Sequence, residues 1–150
     1  MFFFIIASLW SNWANANKNG RANPIRSCAK GFYVTSMQWK EQHHYGLVDL
    51  KFGCSDQLFH IMTGNKYGDW NTLLTCGEGF DQTTAHEQDG YGIVDVAVSC
   101  VDSSAFKRSN NNLNGQENTI QSCPSGTKIT GFKTQEQDHF GIINYRFVCN

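Results

Sequence analysis

One fourteen-residue phrase is written three times in this chain, at residues 41–54, 87–100 and 136–149, with the shared pattern E-Q-x-x-[YF]-G-[LI]-[VI]-[DN]-x-x-[FV]-x-C. A second phrase precedes each copy. It opens on Asn17, Asn65 or Asn112, carries Gly20, Gly68 or Gly115 three residues later, then Asn23, Asn71 or Asn118, and ends at Cys28, Cys76 or Cys123. The leading glutamates Glu41, Glu87 and Glu136 step by 46 and 49 residues. Self-similarity at a fixed period sets the architecture before any local reading does. Three units are too few for an open solenoid with two caps. They suit a closed three-fold assembly in which each unit buries its apolar face against the other two.

The strand period supports an all-β reading. In the second copy Val94, Val96, Val98 and Cys100 alternate with Asp95 and Ser99, the period of a half-buried strand. The other copies place Val48, Leu50, Phe52 and Cys54 opposite Asp49 and Lys51, and Ile143, Tyr145, Phe147 and Cys149 opposite Asn144 and Arg146. The first set in each copy is expected to face inward and the second outward, to solvent. Apolar or alternating runs at 58–63, 71–76, 80–87 and 93–100 make four strands in the second repeat, with Asp89-Gly90 as a hairpin signal. No segment sustains a helical period. At 150 residues the chain is one domain by length. The repeats, about 17–54, 65–100 and 112–149, fill it as a single domain over 17–150.

Six cysteines fall two per repeat. They allow fifteen pairings on paper, and the repeat singles out Cys28–Cys54, Cys76–Cys100 and Cys123–Cys149. A zinc site is disfavoured, because there is no C-x-x-C pair and the histidines do not recur with the cysteines. Three disulfides imply an oxidising compartment, and so a secreted, extracellular protein. The first sixteen residues carry an apolar run and Ala14-Asn15-Ala16, the pattern of a signal peptide, although no Lys or Arg precedes the run. The alternative is that residues 9–13 form a strand completing the first sheet. The apolar run is too short to span a bilayer as a helix.

The turns Cys28-Ala-Lys-Gly31, Cys76-Gly-Glu-Gly79 and Cys123-Pro-Ser-Gly126 each open a strand that ends in Glu. A hairpin then leads to an apolar-N/D-apolar strand ending in Cys. With Tyr67-Gly68-Asp69-Trp70 ahead of Cys76, this arrangement resembles the vitelline membrane outer layer protein I family over nearly the whole chain. Members of that family have a longer, Asp-rich segment between the Glu and the last strand. The resemblance implies a three-fold pseudosymmetric β-prism of three four-stranded Greek-key sheets, placed in extracellular coats and associated with carbohydrate binding and glycosyl transfer. A looser resemblance is to dermatopontin-like matrix proteins, through cysteine-bounded repeats with an acidic segment before an aromatic residue and Cys.

Lys+Arg 12 against Asp+Glu 13, without a basic run, argues against a nucleic-acid surface. The remaining partner class is carbohydrate. Candidate ligand-binding residues are Glu41, Gln42 and Tyr45, with Glu87, Gln88 and Tyr91, and Glu136, Gln137 and Phe140. Carboxylate and amide would hydrogen-bond sugar hydroxyls while the ring covers an apolar sugar face. Trp70, in a turn-rich segment, is a further stacking candidate, whereas Trp39 reads equally well as core. The competing reading is structural: a residue present in all three copies satisfies something each copy needs, such as a hairpin's backbone donors. Asp49, Asp95 and Asn144 read as solvated strand-face residues. His43, His44, His86 and His139 cluster in sequence around the hairpins, but symmetry would put these on different sheets, so neither a metal nor a cofactor is expected. Glycosidase-type chemistry needs two carboxylates about 5–10 Å apart, which the repeats alone do not supply. No catalytic residue is assigned. The expectation is a glycan-binding or coat-forming module, with a carbohydrate-active enzyme of glycosyl-transfer type or a purely structural matrix protein as alternatives.

Overall fold

The structure, a computed structural model, describes residues 9–150 apart from Ala16, Lys18, His44, Gly90, Tyr91, His139 and Phe140. Its strands are β1 (Leu9–Trp10), β2 (Arg21–Ala22), β3 (Arg26–Ser27), β4 (Val34–Gln42), β5 (Gly46–Cys54), β6 (Phe59–Ile61), β7 (Asp69–Trp70), β8 (Leu74–Thr75), β9 (Phe80–Gln88), β10 (Gly92–Cys100), β11 (Phe106–Arg108), β12 (Gln116–Glu117), β13 (Gln121–Ser122), β14 (Ile129–Gln137) and β15 (Gly141–Cys149). There is no helix among the described residues, and hence none long and apolar enough to cross a membrane.

Three antiparallel sheets form a three-fold β-prism. The first has the order β6-β5-β4-β7, the second β11-β10-β9-β12 and the third β1-β15-β14-β2. In each, a second short strand (β8, β13 or β3) continues the outer edge beside the long hairpin. The edge position is therefore one strand interrupted at Asn71, Asn118 or Asn23. The amides of these residues still bond Trp39 O, Ala85 O and Thr134 O at 2.7–2.8 Å. The chain makes a hairpin, adds a strand beside its second arm, then crosses to run beside its first arm, which is a Greek key.

This topology corrects the phase of the sequence reading. The strand runs between one hairpin and the next belong to the preceding hairpin: β6, β7 and β8 pair with β5 and β4, not with β9 and β10. In the third sheet the N-terminal strands take that place beside β15 and β14. Leu9 pairs with Cys149 and Arg21 with Glu136. Residues 9–10 do form a strand, but in the third sheet rather than the first. The cause is closure: a ring of three units leaves one sheet to be completed by the two ends of the chain.

The three disulfides pair as the repeat indicates, Cys28–Cys54, Cys76–Cys100 and Cys123–Cys149. Because of the phase shift, each joins two sheets. The amides of Cys28, Cys76 and Cys123 bond the first arms of the third, first and second sheets, at Thr130 O, Thr35 O and Asp81 O. Their partners end β5, β10 and β15 in the first, second and third sheets. The bridges thus make a closed ring of covalent ties around one end of the prism.

The core fills the axis with Trp39, Phe52, Phe80, Phe132, Tyr145 and Phe147, all essentially inaccessible. Phe132 stands 5.3 Å from Phe52 and 6.5 Å from Phe147, ring centre to ring centre. Burial drives the Tyr145 hydroxyl pKa up, only partly opposed by its 2.8 Å hydrogen bond with Thr83 Oγ1. A second correction concerns strand faces. Each hairpin carries a bulge near its turn, at Val48, Val94 and Ile143, where the register skips one residue. The residues before the bulges, Leu47, Ile93 and Ile142, belong to the axial core, while Val48, Val94 and Ile143 are buried outside it. Strict alternation cannot show this, since one extra residue reverses the face of everything before it.

Candidate functional site

The three hairpin turns gather at the end of the prism opposite the disulfide ring. Gly46, Gly92 and Gly141 open the second arms with φ of 76°, 77° and 72°. A Cβ on Gly141 would lie 2.5 Å from Leu47 O, so the hairpins of the third and first sheets touch here. Each turn is overlaid by the loop that follows an edge strand, and that loop is built from the asparagine phrase.

Asp49, Asp95 and Asn144 organise these loops. They point away from the core yet are buried at 1%, 0% and 0% exposure, which corrects the solvated reading. Asp49 accepts from the amides of Thr63 and Gly64 at 2.8 and 3.0 Å. Asp95 accepts from Ser109 Oγ, from Asn110 N and from Arg108 at 2.5, 3.2 and 3.1 Å. Asn144 accepts from Asn15 N and donates to Asn15 O and Asn17 O. The Asp-to-Asn difference follows from this geometry: the third loop presents carbonyls where the second presents donors. From that anchor, side-chain oxygens at two-residue steps bond the next amides, through Asn15 and Asn17, Thr63 and Asn65, and Asn110 and Asn112. These are successive Asx and Ser/Thr turns.

The glycine of the phrase lets the loop cross the glutamate strand. A Cβ at Gly20, Gly68 or Gly115 would stand 2.7, 2.3 or 2.0 Å from the carbonyl oxygen of Glu136, Glu41 or Glu87. The second asparagine then reaches the glutamate side chain. Asn23 Nδ2 donates to Glu136 Oε2 at 2.8 Å, and Asn71 Nδ2 to Glu41 Oε2 at 3.4 Å. Glu136 also faces Arg21 at 3.9 Å, and Glu41 accepts from Asn110 Nδ2 of the second sheet's loop. Two of the three repeated glutamates are therefore clamped in the scaffold.

Glu87 differs. Asn118 stands close enough to act on its charge, but among the described residues the buried Asn118 Nδ2 has no acceptor within hydrogen-bond distance and no Lys or Arg lies within ion-pair distance of Glu87. Burial raises the Glu87 carboxyl pKa above its ordinary value, and the neighbouring Asp89 adds to the rise; Asn118 partly opposes it. This carboxylate lines a polar cleft of about 220 Å³ with Asn17, Gln88, Asp89, Gly92, Gln137 and Ile143. The cleft runs between the turn of the second hairpin and the third sheet. It therefore unites two of the sequence-derived Glu-Gln pairs in part, Glu87-Gln88 and Gln137. Glu41, Gln42 and Tyr45 belong to the first hairpin, where the Tyr45 amide closes the turn on Gln42 O at 3.0 Å. Tyr91 and Phe140 lie outside the described residues, as do His44 and His139.

Trp70 is half-buried on the outer face of the first sheet. The ammonium groups of Lys40 and Lys51 stand 5.0 and 4.8 Å from its ring centre. Trp39 is core. His86 pairs with Arg108, and His60 stacks on Phe52. Among the described residues no three His, Cys, Asp or Glu side chains gather as metal ligands. Sequence reasoning passed over Asn17. The signal was available, since the asparagine phrase recurs as faithfully as the glutamate one.

No protein-family model matches this chain, and no curated protein sequence matches it. Solved structures do. A prostate-specific WGA16 glycoprotein lectin superposes with a TM-score of 0.71 at 12% identity, over 93% of this chain and 98% of that one. Calystegia sepium agglutinin gives 0.71 at 9%, over 96% and 97%. A Malaysian banana lectin gives 0.62 at 14%, over 96% and 99%. At such identities the likeness is one of fold: this chain has the β-prism architecture of those lectins from end to end.

Proposed function

We propose that this protein is a secreted glycan-binding module whose binding site is the cleft around Glu87. The observation that carries the reading is the inequivalence of the three repeated glutamates. Two accept from asparagine amides at 2.8 and 3.4 Å, whereas Glu87 has Asn118 beside it but closes no such bond at hydrogen-bond distance among the described residues, and it lies in a cleft of amides and carboxylates. A carboxylate oxygen accepts hydroxyl protons, while the Asn17, Gln88 and Gln137 amides both donate and accept, the complement a sugar's hydroxyls and ring oxygen require. The cleft is smaller than the roughly 300–1,000 Å³ that buries a drug-sized ligand, which suits one monosaccharide unit of a neutral or amino sugar. The lectin names of the fold neighbours and the resemblance to vitelline membrane outer layer proteins support the same class of ligand and an extracellular setting. The ring of disulfides fits that setting.

The test is a glycan array probed with the protein and with Glu87→Gln. Binding to a defined set of neutral or amino-sugar glycans that the variant loses supports the reading. An array with no bound glycan, or one unchanged by Glu87→Gln, overturns it.

A further inference from the structure

At the opposite end, the same three-fold construction is broken in a different way. Tyr33, Gly79 and Lys128 are equivalent, each standing just before the first arm of its hairpin. They meet: a Cβ on Gly79 would lie 2.9 Å from the Tyr33 ring and 3.1 Å from Lys128 Cδ, and Lys128 Nζ sits 3.9 Å from the centre of the Tyr33 ring. Three copies of one position thus hold an aromatic ring, a cation and the gap that admits both. The connection from Cys76 to Phe80 is also two residues shorter than those from Cys28 to Val34 and from Cys123 to Ile129. Phe32, in one of the two longer connections, borders an open space and is 41% exposed.

That space is a cleft of about 670 Å³ lined by Trp10 and Val148 of the third sheet, by Phe32 and Tyr33, and by Lys30 and Lys128. Among the described residues no Asp or Glu side chain lines it. The carboxylate nearest to Lys128, Glu78, is 73% exposed and 4.0 Å away, too solvated to neutralise the ammonium. Asn150 also lines the cleft; its main chain is paired both ways with that of Lys128, and its side chain donates to Thr130 Oγ1. Size and apolar lining are those of a small-molecule site, and the two cations supply the convergent polar groups such a site needs.

We infer that this cleft binds a small amphipathic anion, an aromatic or acyl body with a single carboxylate or sulfonate. The body would lie against Trp10, Phe32 and Val148, and the anionic head would reach Lys30 and Lys128. The site is separate from the Glu87 cleft, because it lies beside the Cys28–Cys54 bridge at the far end of the prism.

The probe is 8-anilinonaphthalene-1-sulfonate, titrated by fluorescence against the full, oxidised chain, with cationic thioflavin T as the charge-reversed comparison. One site per chain is expected. Lys128→Gln and Phe32→Ser should each weaken binding at least fivefold, while Lys133→Gln, which removes a charge elsewhere on the third sheet, should leave it unchanged. Both informative positions are partly exposed, and backbone amide NMR spectra check that the variants fold. In the same spectra the probe should shift the amides of 29–33 and 148–150. Binding indifferent to both cleft variants, equal affinity for thioflavin T, or shifts clustered on other residues would overturn the inference.

Discussion

The hairpin end and the cysteine end of the prism hold the same three sheets together by opposite means. At the hairpin end the ties are polar and local: buried Asp49, Asp95 and Asn144, the asparagine turns, and glycines that let one segment ride on another. At the cysteine end they are covalent, a ring of three disulfides each joining neighbouring sheets. The comparison separates scaffold from site. Asp49, Asp95 and Asn144 hold the fold in all three copies despite the change of residue, whereas clefts lie where the copies differ in contact, at Glu87 and beside Tyr33 and Lys128.

Glycines give the largest expected contrast between the ends. Gly115 and Gly126 both have positive φ, 86° and 81°. Only Gly115 is crowded, since a Cβ on Gly126 meets nothing within 4 Å. Gly115→Ala combines left-handed strain with overpacking and should cost about 2–5 kcal/mol. Gly126→Ala should cost the strain alone, about 1–2 kcal/mol. Urea unfolding of the two variants checks the pair, and equal losses would mean that the loop does not bear on the glutamate strand.

Replacing Cys123 and Cys149 together by Ser should remove about 3.5 kcal/mol, the loop-closure value for a 26-residue separation. The third sheet should be affected first, because it is assembled from both ends of the chain. Amide exchange should show its β1, β2 and β3 opening ahead of the corresponding edges of the other sheets. Uniform loss of protection would contradict this.

A smaller effect is expected at Arg146. Its guanidinium stands 4.4 and 5.1 Å from the rings of Trp10 and Trp13 and holds the N-terminal segment to the third sheet. Arg146→Ala should therefore cost about 1 kcal/mol, the scale of cation–π contacts, rather than the few tenths of an ordinary surface change. Phe147→Ala, its inward neighbour, remains far costlier, at about 3–5 kcal/mol. Thermal unfolding of both variants gives the comparison.

The sequence makes the period, the strands and the cysteine pairing readable because each recurs three times and each rests on local chemistry. Sheet membership is not local. Whether residues 59–61 join the hairpin before or after them depends on ring closure, and only the N-terminal strands pairing with β15 and β14 reveal the answer. Bulges hide in the same way, since the extra residue at Val48, Val94 or Ile143 is as apolar as its neighbours. The burial of Asp49 and Asp95 is hidden too, because the loops that cover them arrive from fourteen or more residues away. The repeated glutamates are readable as a set, but the difference between the two held by asparagine and arginine contacts and Glu87 depends on side-chain contacts between phrases.

Calorimetric titration of a glycan taken from the array tests the difference between Glu87 and its two counterparts. The protein is compared with Glu41→Gln, Glu87→Gln and Glu136→Gln, each checked for an unchanged fold. Glu87→Gln should weaken binding at least tenfold while the other two change it less than twofold. Wild-type binding, which needs the charged carboxylate, should fall away with decreasing pH above the ordinary glutamate range, because the Glu87 pKa is raised. Equal losses in all three variants, or none in Glu87→Gln, would contradict that difference.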